Sequence, residues 1–211
     1  MNYYQMKMLF LFLVLALVSC RSGKVENKYP NGKIMETYSV NKNAEKNGDY
    51  VMYFESGKIK EKAEYKNGKL IGKRTLFFEN GNPEMEELYT DDGLLNGLHR
   101  TFYPEGPLMI EKTYTNNVIS GQLKVYYPSG KIKEEVTMNG NQENGPFTEY
   151  FENGQIQWKG TYLNGDNEFG LLEEFDSLGA PIKKMKCDSL AICRTFWRPG
   201  MPDVKLDSIG L

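Results

Sequence analysis

The chain has 211 residues, 13% of them aromatic and 26% charged, which is the balance of a folded chain rather than a disordered one. A formal net charge of −2 excludes a global basic field for collecting nucleic acid. The 21 glycines have no three-residue period, which excludes a collagen-like chain and points to many turns.

Residues 1–19 read as a targeting segment. Lys7 is its only charge, and the apolar run Met8–Val18 follows. That run is too short to span a bilayer comfortably and suits a signal-peptide h-region. It ends in Leu17-Val18-Ser19-Cys20. A small residue before a cysteine, directly after the h-region, resembles a bacterial lipobox. The resemblance implies that Cys20 receives a diacylglyceryl group and becomes the new N-terminus, anchoring the chain in a membrane through more than one acyl chain. A plain secretory signal with an incidental cysteine, or an uncleaved anchor, is the alternative. Residues 20–27 then comprise the lipidated cysteine and a short polar tether. No acidic residue stands beside Cys20. By resemblance to lipoprotein sorting rules this implies the outer membrane if the source is Gram-negative.

From residue 28 to 186 the sequence repeats. One glycine series is Gly32, Gly57, Gly81, Gly106, Gly130, Gly154 and Gly179, stepping by 24 or 25. A second is Gly48, Gly72, Gly97, Gly121, Gly145 and Gly170, with the same step. The text before the first series is nearly constant, as in Tyr29-Pro30-Asn31-Gly32, Phe54-Glu55-Ser56-Gly57 and Tyr127-Pro128-Ser129-Gly130. Proline presets φ for a turn, and glycine takes positive φ without penalty. A second turn signal falls inside each unit: Asn67-Gly68, Asp92-Gly93, Asn116-Asn117, Asn139-Gly140 and Asn164-Gly165. Each unit therefore holds two turns and two strands, six good units and a degenerate seventh.

The strand between the turns alternates. Ile59, Ala63 and Tyr65 share a face that Glu61 interrupts, and Lys58, Lys60, Lys62 and Glu64 share the other. Eight residues after the first glycine stand Val40, Tyr65, Tyr89, Tyr114, Met138 and Tyr162. The predicted ladder Tyr65, Tyr89, Tyr114 and Tyr162 is the candidate binding surface, as exposed rings, or else holds the sheet together. The return strand ends in paired rings such as Tyr53-Phe54, Phe77-Phe78 and Tyr150-Phe151, one expected on each side of the sheet. The second glycine is expected to admit a ring from the neighbouring unit that a Cβ would block. Asn82-Pro83 and Pro107-Leu108 replace Lys-Ile in units three and four, and those strand starts are expected to be unpaired or bulged.

The pattern Tyr/Phe-x-x-Gly-Lys, then Tyr-x-Asn-Gly-x-x-x-Gly, then a double aromatic, resembles the MORN-repeat variant of bacterial YwqK-type antitoxin components. The resemblance covers about residues 28–186. It implies an all-β fold: an elongated, twisted, single-layer antiparallel sheet of tandem β-hairpins.

After Lys186 the period stops. Cys187 and Cys193 remain once Cys20 is lipidated. In an exported chain they are expected to form a disulfide; two free thiols or a metal pair are the rivals, and the spacing is wrong for a zinc knuckle. Residues 187–211 form a C-terminal tail, expected to cap the last sheet edge or to present Thr195–Asp203 as a contact patch.

Catalytic signatures are lacking. His99, the lone histidine, sits in a slot held elsewhere by Arg74, Leu123 and Phe147, and reads as a surface or packing position. No Ser-His-Asp order, HExxH, P-loop or GxGxxG occurs. Pairs such as Glu86-Glu87 and Glu134-Glu135 point to opposite faces and do not converge as a glycosidase pair. The reading is a non-enzymatic envelope lipoprotein without cofactor or bound metal. Its sheet is a binding or scaffold surface for protein, glycan or lipid, with no nucleic-acid partner. The alternative is an antitoxin or immunity partner of a toxin.

Overall fold

The computed structural model describes residues 23–204. The expected signal peptide (1–19) and Cys20 lie outside the described residues. In chain order the strands are β1 (Gly23–Lys28), β2 (Ile34–Val40), β3 (Lys46–Tyr53), β4 (Ile59–Lys66), β5 (Lys69–Phe77), β6 (Pro83–Tyr89), β7 (Gly97–Phe102) and β8 (Leu108–Thr115). There follow β9 (Val118–Ile119), β10 (Gly121–Tyr126), β11 (Ile132–Asn139), β12 (Gln142–Tyr150), β13 (Ile156–Tyr162), β14 (Gly170–Phe175), β15 (Pro181–Cys187) and β16 (Cys193–Trp197). Among the described residues there is no helix. The strands form one open antiparallel sheet in sequence order, with the short β9 pairing β8 off the main path. The fold is thus the tandem-hairpin sheet that the two glycine series predict.

The tight turns have one geometry. Gly57 N–H donates to Phe54 O at 2.8 Å, and Phe54 N–H to Lys58 O at 2.8 Å. This is a four-residue turn closed by a glycine at φ +90°, the geometry that a hairpin needs to match strand twist. A one-residue register shift follows each such turn, as at Met52/Tyr53 and Val125/Tyr126. It is equally present at Leu76/Phe77 and Thr101/Phe102. The bulge expected at the two proline-bearing units is therefore a property of every unit. The prolines fit because the shift already breaks the ladder there, and Pro107 O still accepts from Tyr103 N–H at 2.9 Å.

Neighbouring units are stitched at the turns. The hydroxyls of Tyr29, Tyr103 and Tyr127 donate to the carbonyls of Tyr53, Tyr126 and Tyr150 at 2.6, 2.8 and 2.7 Å. The acceptor is in each case the first residue of the next ring pair. The second ring of a pair thus serves the turn edge. The first lies on the charged face: Lys62 Nζ sits 5.9 Å over Phe77, and Tyr150 OH donates to Glu135 at 3.1 Å.

Two boundaries differ from the sequence expectation. The tether assigned to 20–27 is already sheet from Gly23: Val25 pairs with Tyr38 and Glu26 with Thr37. Alternation over Gly23–Lys28 supplies a strand that one polar composition conceals. At the other end, β16 pairs with β15, Lys186 opposite Arg194 and Cys187 opposite Cys193. The tail covers the β15 edge by adding a strand, and β16 becomes the outer strand.

The second glycine series also has a different cause from the one expected. Nothing lies within 4 Å of a Cβ built at Gly48, Gly121 or Gly170, and no ring approaches the others in the series. These glycines instead occupy positive φ, +84° at Gly121. Left-handed backbone costs an L-residue with a Cβ roughly 1–2 kcal/mol, with Asn the best tolerated. Gly121→Val is expected to lower the melting temperature and Gly121→Asn to lower it clearly less. Equal losses would make side-chain volume the cause instead.

Candidate functional site

Three repeating slots converge on one face. The first is two residues past the second glycine: Tyr50, Arg74, His99, Leu123, Phe147 and Leu172. The others are six and eight residues past the first glycine. They hold Ala63, Glu87, Val136 and Gly160, and Tyr65, Tyr89, Tyr114, Met138, Tyr162 and Cys187. Pairing brings them together, as in the cross-strand row Leu123–Val136–Phe147–Gly160. Tyr50, Ala63, Glu87, His99, Val136, Met138, Phe147, Leu172 and Cys187 are all buried.

The ring ladder belongs to this packed face. Tyr65, Tyr89, Tyr114 and Tyr162 are half-buried rather than fully exposed. Tyr65 meets Tyr50 edge-on at 5.6 Å, Tyr114 meets His99 at 5.7 Å, and Tyr162 stacks on Phe147 at 4.1 Å. The partner is each time the residue two past a glycine. Sequence reasoning treats that slot as variable and misses that it is the core. Its signal is phase: Gly145 pairs with Tyr162 and Gly97 with Tyr114, so two residues past the glycine the chain returns to the Tyr face.

The face changes chemistry along the array. In its first half every acidic group on the face has a partner. Asn27 Nδ2 and Tyr50 OH donate to Glu36 at 2.7 and 2.8 Å, and Lys46 Nζ lies 3.8 Å from it. Glu61, the interruption of the alternating strand, pairs with Arg74 Nε at 2.7 Å. Arg74 also donates to Glu87 at 3.1 Å, Tyr89 OH donates to Glu87 at 2.9 Å, and His99 Nε2 lies 3.5 Å from it. Burial pushes the Glu87 carboxyl up, but the bonds from His99, Tyr89 and Arg74 outweigh this and pull it down to about 2.

The second half is different. Val136, Met138, Phe147, Leu172 and Cys187 form an apolar cluster, with Trp158, Tyr162 and Met185 packed against it. Beside it Glu134 stands directly opposite Glu149, and Glu168 opposite Tyr162. Among the described residues no lysine or arginine forms an ion pair with Glu134, Glu143, Glu149 or Glu168. Burial, then neighbouring carboxylates, hold Glu134 above the usual carboxylate range. Burial does the same for Glu149, partly opposed by Lys133, and Glu168 adds to it. Phe147, Glu149, Trp158, Tyr162, Glu168, Leu172, Met185 and Cys193 line an open cavity of about 270 Å³. Cys193 is disulfide-bonded to Cys187, so the bridge forms part of the cavity wall.

The opposite face is a ladder of alternating charge. Cross-strand pairing runs Glu86–Arg100–Glu111–Lys124–Glu135 across β6 to β11. After Thr148 it resumes as Lys159–Glu173–Lys184. Arg100–Glu111 at 2.7 Å, Lys124–Glu135 at 3.1 Å and Lys159–Glu173 at 2.8 Å close ion pairs along it. Opposite charges facing each other contribute a few tenths of a kcal/mol, roughly 0.2–1 each, and leave this face internally neutralised.

Among the described residues no group of three or more His, Cys, Asp or Glu is placed to hold a metal ion. His99 is a buried packing residue on Tyr114. No curated protein matches the chain. The MORN repeat variant pattern matches residues 21–42, 46–67, 70–91, 120–139 and 143–164, about half of the chain. Those segments coincide with hairpins of the sheet, and with that period, that turn chemistry and that match, the chain belongs to the MORN repeat variant family.

Proposed function

We propose that this protein is a non-enzymatic lipoprotein of the cell envelope, anchored through Cys20, whose repeat sheet is a binding scaffold. MORN repeats often mediate binding and are generally non-catalytic. The observation that carries the reading is the open single-layer sheet, whose order follows the sequence from β1 to β16 and leaves two long faces uncovered by any other layer of the described residues. The first strand begins at Gly23, so only Arg21 and Ser22 separate it from Cys20. An anchored array of this kind would hold its faces close to the membrane and present them to a protein or glycan there.

The test uses the full chain. Wild type is expected to partition into detergent and to capture a reproducible partner from solubilised membranes. Cys20→Ser is expected to move it to the aqueous phase. Unchanged partitioning of the Cys20→Ser chain would discard the anchor, and absence of any reproducible partner would discard the scaffold.

A further inference from the structure

We infer that the cavity between β12 and β16 is a binding site for a basic side chain, lysine or arginine, presented by a partner polypeptide. The inference rests on the binding role proposed above and names what one part of the sheet binds.

The site is a cavity with aromatic walls. Phe147 and Tyr162 stack at 4.1 Å with their planes 16° apart, and Trp158 and Met185 complete an apolar lining. Such a wall suits the aliphatic stem of a long basic side chain, whose charged head keeps polar company. The rings add attraction for the cation itself. Two carboxylates, Glu149 and Glu168, open into the same space.

Charge decides the occupant. Like charges directly opposite each other in a sheet are destabilising, yet Glu134 faces Glu149 across β11 and β12. The first half of the same face solves this problem internally with Lys46 and Arg74. Here neither Lys183 nor Lys133 forms an ion pair with Glu134 or Glu149, and Lys133 acts on both only through space. Lys183 pairs with Glu174 at 2.7 Å while lying 4.9 Å over Trp158, and Lys133 sits 5.9 Å over Tyr127. The Tyr162 hydroxyl makes no hydrogen bond among the described residues, whereas those of Tyr50 and Tyr89 each donate to a carboxylate. A cation entering from outside would supply what Arg74 supplies in the first half. A neutral or anionic group would leave the carboxylates without an ion-pair partner.

The probe is an end-blocked tetralysine peptide, titrated into the full chain in non-ionic detergent and followed by the two tryptophan indole N–H signals in NMR. The Trp158 signal is expected to shift in a saturable way, with Trp197 unmoved. Glu149→Gln combined with Glu168→Gln is expected to weaken binding by at least about tenfold. It should not lower the melting temperature at neutral pH, since it relieves repulsion. Glu55→Gln with Glu64→Gln, an equal charge change at exposed positions, is expected to leave affinity within about twofold. Absence of a saturable shift, or equal weakening by both double variants, would overturn the site. So would binding to phosphatidylethanolamine vesicles without binding to the peptide. Membrane capture of a partner that survives the Glu149/Glu168 double variant would discard this site and leave the scaffold reading standing.

Discussion

Phe147→Ala is expected to destabilise the second half of the array by about 3–5 kcal/mol, the usual range for emptying a buried phenylalanine site. Phe147 is 4% exposed and lies at the centre of the apolar cluster, between Val136 on β11 and Gly160 on β13. The cross-strand register fixes Val136 and Gly160 on either side of the ring, and Gly160 has no side chain with which to fill the void. Gly160 records the same crowding from the other side. A Cβ there would come within 2.8 Å of Phe147 Cε1 and 2.9 Å of Leu172 Cδ1. Gly160→Ala is therefore expected to cost about 1–3 kcal/mol by overpacking. The two changes should compensate: the methyl of the second fills part of the space opened by the first, so the double variant loses less than the sum. Urea unfolding measures all three, and Phe169→Ala is the control. Phe169 is 41% exposed, and its loss is expected to stay within about 0.5 kcal/mol. If Phe147→Ala cost no more than Phe169→Ala, the packed face would not be the core. Because each unit touches only its neighbours, loss of amide protection should be greatest in β11 to β15 and smallest in β1 to β4.

Much of this architecture was legible in the sequence, for a physical reason. Turns depend on local backbone chemistry, and Tyr29-Pro30-Asn31-Gly32 and its copies carry that chemistry in four residues. Once the turns are set, antiparallel pairing in sequence order follows. The core was harder to read. Arg74, Glu87 and His99 occupy core slots but are polar, so alternation of apolar and charged residues fails where they stand. Only pairing reveals that they satisfy one another. Cys187 was legible as a cysteine of the tail and not as the seventh member of the Tyr ladder, although it stands eight residues past Gly179. The cavity was illegible for a related reason: Glu134 and Glu149 lie fifteen positions apart and meet only through the register of β11 with β12. The first described strand was hidden by its polarity, since Val25 is the one apolar side chain that Gly23–Lys28 offers to the packed face.

Acid should act on the middle of the array through Glu87. The residue is 7% exposed, and its carboxyl is pulled down to about 2 in the folded chain against an ordinary 4.5. A group whose folded pKa is lowered contributes stability that is fully present above its unfolded pKa and disappears as pH falls through the folded one. The window is therefore pH 4.5 down to about 2, and the size is of the order of 3 kcal/mol. Glu36, also lowered, acts in the same direction. Glu134 and Glu149 act in the opposite direction. Their raised carboxyls are relieved on protonation, so the second half gains stability as pH falls towards the ordinary range. Glu87→Gln should leave the Arg74 guanidinium with Glu61 alone. The variant is expected to be less stable than wild type at pH 7, to lose less between pH 4.5 and 2, and to converge with wild type at the acid end. Urea midpoints taken across that interval measure the slope directly. A wild-type slope retained in the Glu87→Gln chain would mean that the Arg74–Glu87–His99 network contributes nothing to acid sensitivity, and that the polar middle of this face is held by its backbone pairing alone.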